Sequence, residues 1–251
     1  TGHTDRVFRV VYSPVGQTLA SAGADTEIRL WEAATGREPW VLRGHTERVA
    51  GLAFAPDGKT LVSAGVDGDI RIWRVQSGEC VRLLRHHRHP LLAVAFSPDG
   101  QLLASAGHSA TIQLWETQTW QPIRHYRVTS GGQPEIWALL FDRNGSELVI
   151  AGDIAPVSGW DIRDGQCTFV VQNWRSEIYR MKFHPSGRWL IASDRSGQLL
   201  FWDLHKSEAA YPVLADRIGH HAVFGIAFAA QGKLVISGSL AGSIRLWHLQ
   251  E

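Results

Sequence analysis

The chain has 251 residues, of which 44% are hydrophobic, so it can bury a sizeable core. Its 25 basic residues nearly balance its 24 acidic ones, and no overall field would draw nucleic acid or an anionic membrane to it. Two cysteines are too few for a secreted disulfide framework, and no stretch approaches about 20 apolar residues, so we expect a cytoplasmic protein with neither a membrane nor a nucleic-acid partner.

A repeat of 42 or 45 residues organises the chain from one end to the other. Its markers are six tryptophans that each end a short β-type run: Trp31, Trp73, Trp115, Trp160, Trp202 and Trp247. Six glycines that close turns keep the same register: Gly16, Gly58, Gly100, Gly145, Gly187 and Gly232. Self-similarity at such a period marks repeat architectures. One domain over 1–251 therefore divides into six units, at about 1–43, 44–85, 86–127, 128–172, 173–217 and 218–251.

Each unit reads as short strands joined by tight turns. In the first unit, β-type runs predict strands at Val7 to Tyr12, Thr18 to Ala22, Glu27 to Trp31 and Pro39 to Leu42. The later units repeat this order, and no long run with the helical period interrupts them. Small four-stranded sheets cannot each bury both faces alone, so they stack around an axis. The sequence predicts an all-β fold, a β-propeller of four-stranded antiparallel blades.

The repeat resembles the WD-repeat family over essentially its whole length. That family's unit has Gly-His before the first strand, Ser or Thr in the second strand, Asp in the next turn, and Trp then Asp at the end of the third strand. The resemblance implies a hydrogen-bond chain from Trp through Ser and His to Asp, which is useful only if it is complete. It assigns this chain to His3, Ser21, Asp25 and Trp31 in unit one, and to His45, Ser63, Asp67 and Trp73 in unit two.

The other four units depart from this pattern. Unit three keeps His87, Ser105 and Trp115 but has Ser109 at the Asp position, and unit six keeps His220, Ser237 and Trp247 but has Ala241 there. Units four and five have Gly132 and Trp174 where His belongs, so we expect them to depend on apolar packing. We therefore predict that units one and two are the stiffest and units four and five the most mobile.

No pattern of residues indicates catalysis or a bound metal. His86, His87 and His89 lie close together, but no Cys or carboxylate completes a ligand spacing with them. We find no Gly-x-Ser-x-Gly, phosphate-binding loop or His-Glu-x-x-His motif. We predict no enzymatic activity, no cofactor and no metal. Cys80 and Cys167 each follow a repeat Trp by seven residues, and we expect both to be buried on fourth strands.

The resemblance also implies a partner-binding face. In WD-repeat propellers, ligands meet the face around the central channel through the residues that flank the start of the inner strand and the residue before the turn Asp. These positions give Arg6, Phe8, Arg48, Leu92, His108, Glu135, Trp137, Asp153, Glu177, Tyr179, Arg195 and Phe224. Arginines fall in units one and two and acids in units four and five, with aromatic residues between them. Aromatic and Arg side chains commonly anchor protein interfaces. Alternatively, the four aromatic residues fill the channel-side core of their blades.

Our leading hypothesis is a non-catalytic protein-interaction or sensor propeller that binds a peptide or protein. The turn at 97–100 and the strand at 103–107 resemble those of bacterial multidomain signalling proteins. One alternative is a propeller that binds a small ligand or catalyses hydrolysis in its channel through Glu135, Asp153 and Glu177, and another is a purely structural scaffold. Because the sequence begins within a motif and lacks the outer strand of unit six, we expect further blades or domains, in a seven-bladed ring or a larger array.

Overall fold

The computed structural model describes residues 2–85, 87–128, 134–153, 157–171, 176–203, 214–217, 222–239 and 241–249. Within these residues the fold is all-β, with 23 strands and one short 3-10 turn, as the sequence predicts. The described part of the chain contains no helix long and apolar enough to cross a membrane. The chain divides into two compact units, Thr1–Thr129 and Ser130–Glu251; a single domain over 1–251 stays a prediction.

From here on, the first unit is Thr1–Thr129 and the second unit is Ser130–Glu251, and each sequence repeat is called a blade. The first unit contains three blades, each a sheet of four antiparallel strands paired in sequence order. Blade 1 has β1 (Val7–Tyr12), β2 (Thr18–Gly23), β3 (Ile28–Glu32) and β4 (Trp40–Leu42). Blade 2 has β5 (Val49–Phe54), β6 (Thr60–Gly65), β7 (Ile70–Arg74) and β8 (Glu79–Leu84). Blade 3 has β9 (Leu91–Phe96), β10 (Leu102–Gly107), β11 (Thr111–Glu116) and β12 (Gln121–Arg127). We call the first strand of each blade the inner strand and the fourth the outer strand.

The second unit repeats this arrangement. Blade 4 has β13 (Ile136–Phe141), β14 (Glu147–Gly152), β15 (Ser158–Asp161) and β16 (Cys167–Val170). Blade 5 has β17 (Ile178–Phe183), β18 (Trp189–Asp194), β19 (Gln198–Asp203) and β20 (Leu214–Arg217). Blade 6 has β21 (Val223–Ala229), the 3-10 turn Ala230–Gly232, β22 (Leu234–Ser239) and β23 (Ile244–His248), which makes three strands among the described residues.

The hydrophobic core of each unit lies between neighbouring blades. Trp73 of blade 2 packs with Ala20 and Leu30 of blade 1, and Trp115 of blade 3 packs with Val62 of blade 2. Trp202 of blade 5 joins blade 4 residues in the same way. At these three positions the repeated Trp fills the space between its own blade and the preceding one. Burial on folding removes such an indole from contact with water, so its Nε1 hydrogen needs an acceptor inside the protein.

A β-bulge follows the first residue of the inner strand in every blade. In blade 4, Ile136 faces Gly152 and Ala138 faces Ala151, so Trp137 is the extra residue of the bulge. A bulge of this kind bends the strand and re-aims the extra side chain. The six bulged residues are Phe8, Ala50, Leu92, Trp137, Tyr179 and Phe224. The repeated backbone irregularity therefore coincides with one of the positions that the resemblance assigned to partner binding.

The two cysteines lie on outer strands, Cys80 on β8 and Cys167 on β16. Both side chains are exposed, so the prediction that they are buried is wrong. An outer strand has a neighbouring strand on one side only, and all four residues from Glu79 to Arg82 are exposed. Apolar character alone does not decide burial at such an edge.

Candidate functional site

Blades 1 and 2 each contain the complete hydrogen-bond chain from Trp to Asp. In blade 2, the Trp73 indole donates to Ser63 Oγ at 2.8 Å, and Ser63 Oγ lies 2.7 Å from His45 Nε2. His45 Nδ1 lies 2.9 Å from an Asp67 carboxylate oxygen, which also accepts the Thr46 amide hydrogen at 3.0 Å. With a hydrogen on Nδ1, the imidazole accepts from Ser63 and donates to Asp67, so every member of the chain is satisfied.

Blade 1 reproduces these contacts closely. Trp31 donates to Ser21 Oγ at 2.8 Å, His3 Nε2 lies 2.7 Å from the same oxygen, and His3 Nδ1 lies 2.8 Å from Asp25. The loop before the inner strand is thereby tied to the second and third strands. The amide of Thr4 also donates to Asp25, which anchors the loop backbone.

The two turn aspartates have pKa values below the ordinary aspartate value of 3.8. Burial alone raises the pKa of Asp67, but hydrogen bonds from His45 and from the Thr46 amide outweigh that effect. For Asp25, the opposing effect of burial is outweighed chiefly by the Thr4 amide and by His3. Both groups are therefore held as carboxylates, the form that accepts these hydrogen bonds.

Blades 3 and 6 contain parts of the chain. In blade 3, Trp115 donates to Ser105 Oγ at 2.9 Å, and His87 Nε2 lies 2.8 Å from that oxygen. In blade 6, Trp247 donates to Ser237 Oγ at 3.0 Å, whereas His220 lies outside the described residues.

In blades 4 and 5, the hydrogen bonding of the repeat indole differs from that in the other blades. The Trp160 indole donates to Ser158 Oγ at 3.0 Å, a serine two residues earlier on the same strand that the repeat pattern does not mark. In blade 5, Ala192 occupies the Ser position, and the buried Trp202 Nε1 has no hydrogen-bond partner among the described residues. The positions of Gly132 and Trp174 lie outside the described residues.

In the first unit, the structure brings together two of the predicted partner-binding residues. The Arg48 guanidinium lies over the Phe8 ring, 5.5 Å from its centroid, which is a cation–π contact. Arg6 and Arg48 are exposed, His108 is half-buried, and Leu92 is buried. We call the contact the Phe8–Arg48 pair.

Arg9, which follows Phe8 on β1, is not among the residues that the sequence predicts for the site. Its Nε donates to the Ala50 carbonyl oxygen on the neighbouring inner strand at 2.9 Å. Burial lowers the pKa of Arg9 to about 10. The residue directly follows a position that the resemblance selected, but only its contact across blades identifies it.

In the second unit, six predicted residues form a connected group, which we call the aromatic–acidic cluster: Glu135, Trp137, Asp153, Glu177, Tyr179 and Arg195. Its centre is a stack of the Trp137 and Tyr179 rings, with centroids 4.8 Å apart and planes 10° apart. Both residues are half-buried, so part of the stack reaches solvent. They are bulged residues of adjacent inner strands, and a bulge that re-aims each side chain brings the two rings together.

Carboxylates hold the polar ends of the two rings. The Trp137 indole donates to Glu135 at 2.9 Å, and the Tyr179 hydroxyl donates to Glu177 at 3.1 Å. Arg195 also pairs with Glu177, at 2.6 Å. The same Glu-x-aromatic arrangement therefore occurs in blades 4 and 5, and fixes the plane of each ring.

The turn after the second strand fixes the position of Glu135. Asp153 accepts the Glu135 amide hydrogen at 2.8 Å, and the Asp153 amide donates to the Glu135 carbonyl oxygen at 3.3 Å. Gly152 permits this approach, because a Cβ at that position would collide with the Glu135 carbonyl oxygen. The Glu135 carboxylate is thus set on a backbone held by two hydrogen bonds.

The cluster keeps Tyr179 protonated. Burial, the Glu177 charge and the hydrogen bond to Glu177 raise the pKa of Tyr179 to about 12, although the positive charge of Arg195 opposes this rise. The hydroxyl therefore serves as a hydrogen-bond donor at neutral pH, not as a base.

The remaining predicted positions add little to either group. Phe224 lies at the corresponding bulge of blade 6, where the structure describes its backbone only. Among the residues that the structure describes, no three His, Cys, Asp or Glu side chains are arranged to hold a metal ion.

A family model described as the IFT122 first beta-propeller matches residues 1–248, and so includes all six units of the repeat. No curated protein matches the chain.

Proposed function

Since this chain belongs to the family of the IFT122 first beta-propeller, a WD-type fold, we propose that it is a non-catalytic interaction module that binds a peptide or protein through its bulge positions. The observation that carries this proposal is the stacked pair of Trp137 and Tyr179. A half-buried, pre-oriented aromatic pair offers a large contact area and loses little side-chain entropy on binding.

The details of the aromatic–acidic cluster support binding over hydrolysis. Glu135 and Glu177 each accept a hydrogen bond from an aromatic side chain, and Tyr179 has a raised pKa. A hydrolytic site would need a group that accepts a proton near neutral pH beside a nucleophile. We assign the carboxylates to orienting the rings.

A sensing role inside a larger signalling protein and a cytoplasmic location are finer parts of the same proposal. The sensing role is supported by the likeness of the turn at 97–100 and the strand at 103–107 to those of bacterial multidomain proteins. The cytoplasmic location is supported by the small number of cysteines. Within the first unit, we propose that Arg6 and Arg48 also contact the partner.

The test compares proteins captured from an extract of the source cells by the unaltered chain and by the double variant Trp137→Ala and Tyr179→Ala. Trp40→Ala is the matched control, because Trp40 is an exposed aromatic residue on outer strand β4. We expect the double variant to lose a partner that the control keeps. The partner is then purified and its binding to all three proteins is measured directly.

Equal binding by the double variant would contradict the proposal and favour a scaffold that makes no use of this surface. Charge reversal by Arg6→Glu and Arg48→Glu gives an independent arm in the first unit. A partner of a structural scaffold should bind the charge-reversed variant as well as it binds the unaltered chain. A partner that contacts the bulge positions should bind the variant more weakly.

A further inference from the structure

We propose that one edge of blade 3 binds a carboxylate of an acidic segment of the partner, from Asp or Glu. We call it the blade 3 edge, and it consists of Arg88, Ser109, Thr111 and Arg127. The inference rests on the proposed function and names the chemistry of a further contact with that partner. It is carried by a comparison of blade 3 with blades 1 and 2 at equivalent positions of the repeat.

Blade 3 lacks carboxylates at three positions where blades 1 and 2 both have them. The strands around these positions keep the same pairing, since Ser105 faces Gln113 in blade 3 as Ser63 faces Arg71 in blade 2. The backbone of the blade is therefore equivalent, and the difference lies in the side chains. The replacements are Ser109 for Asp25 and Asp67, Thr111 for Glu27 and Asp69, and His89 for Asp5 and Glu47.

A backbone donor of the blade 3 edge has thereby lost its acceptor. In blade 2, the Thr46 amide donates to the Asp67 carboxylate at 3.0 Å, and blade 1 has the same contact at the same distance. Arg88 is the equivalent residue of blade 3, where Ser109 replaces the aspartate. The Arg88 amide makes no hydrogen bond within the part of the chain that the structure describes. A carboxylate from another molecule would restore the hydrogen bond that blades 1 and 2 form internally.

Arg127 shows the same change in a side chain. In blade 1, Arg43 Nε donates to Glu27 at 2.9 Å, and blade 2 has the equivalent ion pair. In blade 3, the equivalent Arg127 faces Thr111 across β11 and β12, so it faces a hydroxyl instead of a carboxylate. Arg127 is exposed and forms no ion pair with any described residue. Its guanidinium is therefore available to an anion.

The charge of this region favours an acidic ligand. The guanidinium groups of Arg88 and Arg127 are exposed, whereas Asp69, the acidic residue that blade 2 has at the Thr111 position, pairs with Arg71 and Arg85. Positive charge in excess attracts carboxylates and repels cations. A guanidinium can donate two parallel hydrogen bonds to a carboxylate, and groups of arginines commonly recognise acidic motifs.

The loop that contains Arg88 is fixed at both ends. His87 Nε2 lies 2.8 Å from Ser105 Oγ, and the Pro90 carbonyl oxygen accepts the His108 amide hydrogen at 3.1 Å. The loop also lies close to blade 2, because a Cβ added at Gly68 would lie 3.2 Å from the His87 carbonyl oxygen. A ligand therefore loses little free energy to ordering of this backbone.

The experiment is a titration of the full chain, prepared with isotope-labelled arginine, with short capped peptides. Nuclear magnetic resonance spectra follow the backbone amide of Arg88 and the Nε–H group of Arg127, which are assigned from their loss in Arg88→Lys and Arg127→Lys. The probes are acetyl-Gly-Glu-Glu-Gly-amide, its glutamine counterpart, and acetyl-Gly-phosphoserine-Gly-amide. We expect the glutamate peptide to shift both signals saturably and the glutamine peptide to bind more weakly by roughly tenfold.

Two substitutions give the blade 3 edge a carboxylate of its own. Ser109→Asp restores the acceptor that the turn of blades 1 and 2 contains, and Thr111→Glu places a carboxylate opposite Arg127. Each should weaken binding of the glutamate peptide by roughly fivefold or more, because the chain's own carboxylate then competes for the same donors. Gln76→Glu is the matched control, because it adds the same charge in the exposed turn between β7 and β8. This variant should bind the glutamate peptide nearly as the unaltered chain does.

Unchanged signals with the glutamate peptide, equal binding of the glutamate and glutamine peptides, or binding of the phosphoserine peptide alone would overturn the carboxylate proposal. The capture experiment decides the proposed function separately. A partner that requires Trp137 and Tyr179 but binds the Ser109→Asp variant as well as the unaltered chain would keep the proposed function and overturn this inference. Binding of the glutamate peptide without any ring-dependent partner would support the carboxylate site and refute the proposed function.

Discussion

Replacement of Ser63 by Ala should destabilise blade 2 strongly. Ser63 Oγ accepts the Trp73 indole hydrogen at 2.8 Å and lies 2.7 Å from His45 Nε2, and Ser63 itself is fully buried. Alanine would leave two buried nitrogens without a partner, at about 1–3 kcal/mol each. A loss of about 2 kcal/mol, the lower limit, multiplies the population of opened blade about thirtyfold, because 1.4 kcal/mol corresponds to a factor of ten.

Blade 5 allows the reverse substitution. Ala192 pairs with Leu200 and Leu190 pairs with Trp202, which is the register that places Ser63 opposite Arg71 and Leu61 opposite Trp73. Ala192→Ser therefore brings an oxygen to the Trp202 Nε1 that now has no partner. One added hydrogen bond contributes about 1 kcal/mol, so we expect opening of blade 5 to decrease about fivefold.

Amide hydrogen exchange, measured blade by blade with mass spectrometry, tests both changes without assuming two-state unfolding. The matched control is Ala104→Ser in blade 3, where the described residues include no buried side-chain N or O atom without a partner. This control adds the same hydroxyl to a fully buried strand position and should speed exchange. The reasoning fails if Ser63→Ala leaves exchange in β6 and β7 unchanged, or if Ala192→Ser behaves like Ala104→Ser.

Four further predictions follow from other contacts. Arg188→Ala should destabilise the protein by about 1–3 kcal/mol in chemical denaturation, because Asp203 is buried and would lose its 2.7 Å ion pair; an unchanged midpoint would refute this. Glu177→Gln should lower the pKa of Tyr179 from about 12 towards 10.0, measured by phenolate absorbance against Tyr179→Phe; an unmoved titration would contradict it. The lowered pKa of Asp67 adds stability that is fully present above pH 3.8 and is lost as the pH falls through the pKa of the folded state. Asp67→Asn should therefore make the free energy of unfolding depend less steeply on pH in the acidic range, and an equally steep dependence would contradict this. Amides of blades 1 and 2 should exchange more slowly than those of blades 4 and 5, and uniform protection would show that the hydrogen-bond chains do not set stiffness.

Strand positions could be predicted closely because the repeat marks them. The second strand of blade 1 was predicted at Thr18 to Ala22 and spans Thr18–Gly23. The fourth strand of the same blade was predicted at Pro39 to Leu42 and spans Trp40–Leu42. Periodic Trp and Gly residues fix the register of each hairpin, so small errors cannot accumulate along the chain. The serine that bonds Trp160 could not be predicted, because Ser158 lies on a different strand from the serine of the repeat pattern.

The candidate site could be predicted by position but not by contact. The resemblance selected Trp137 and Tyr179, yet their stacking depends on the bulge in each inner strand and on the direction in which each side chain leaves it. Neither property is visible in residue types. The separation into a basic and an acidic side was also too simple, because Arg195 of blade 5 pairs with Glu177 of the same blade.

Under the proposed function, the bulge lets the binding residues vary while the fold stays the same. A bulged residue is an extra residue in the strand register. Phe8, Trp137 and Tyr179 are half-buried, whereas the repeat residues Ser63 and Trp73 are buried. Substitution at a half-exposed position usually changes stability by about 0.5 kcal/mol or less, whereas loss of a buried hydrogen-bond partner costs several times more. The same backbone position can therefore have a phenylalanine covered by arginine in one unit and a stacked, carboxylate-flanked pair in the other. We therefore expect binding and stability to be separable in this chain, because the proposed binding residues differ from the buried residues that hold each blade together.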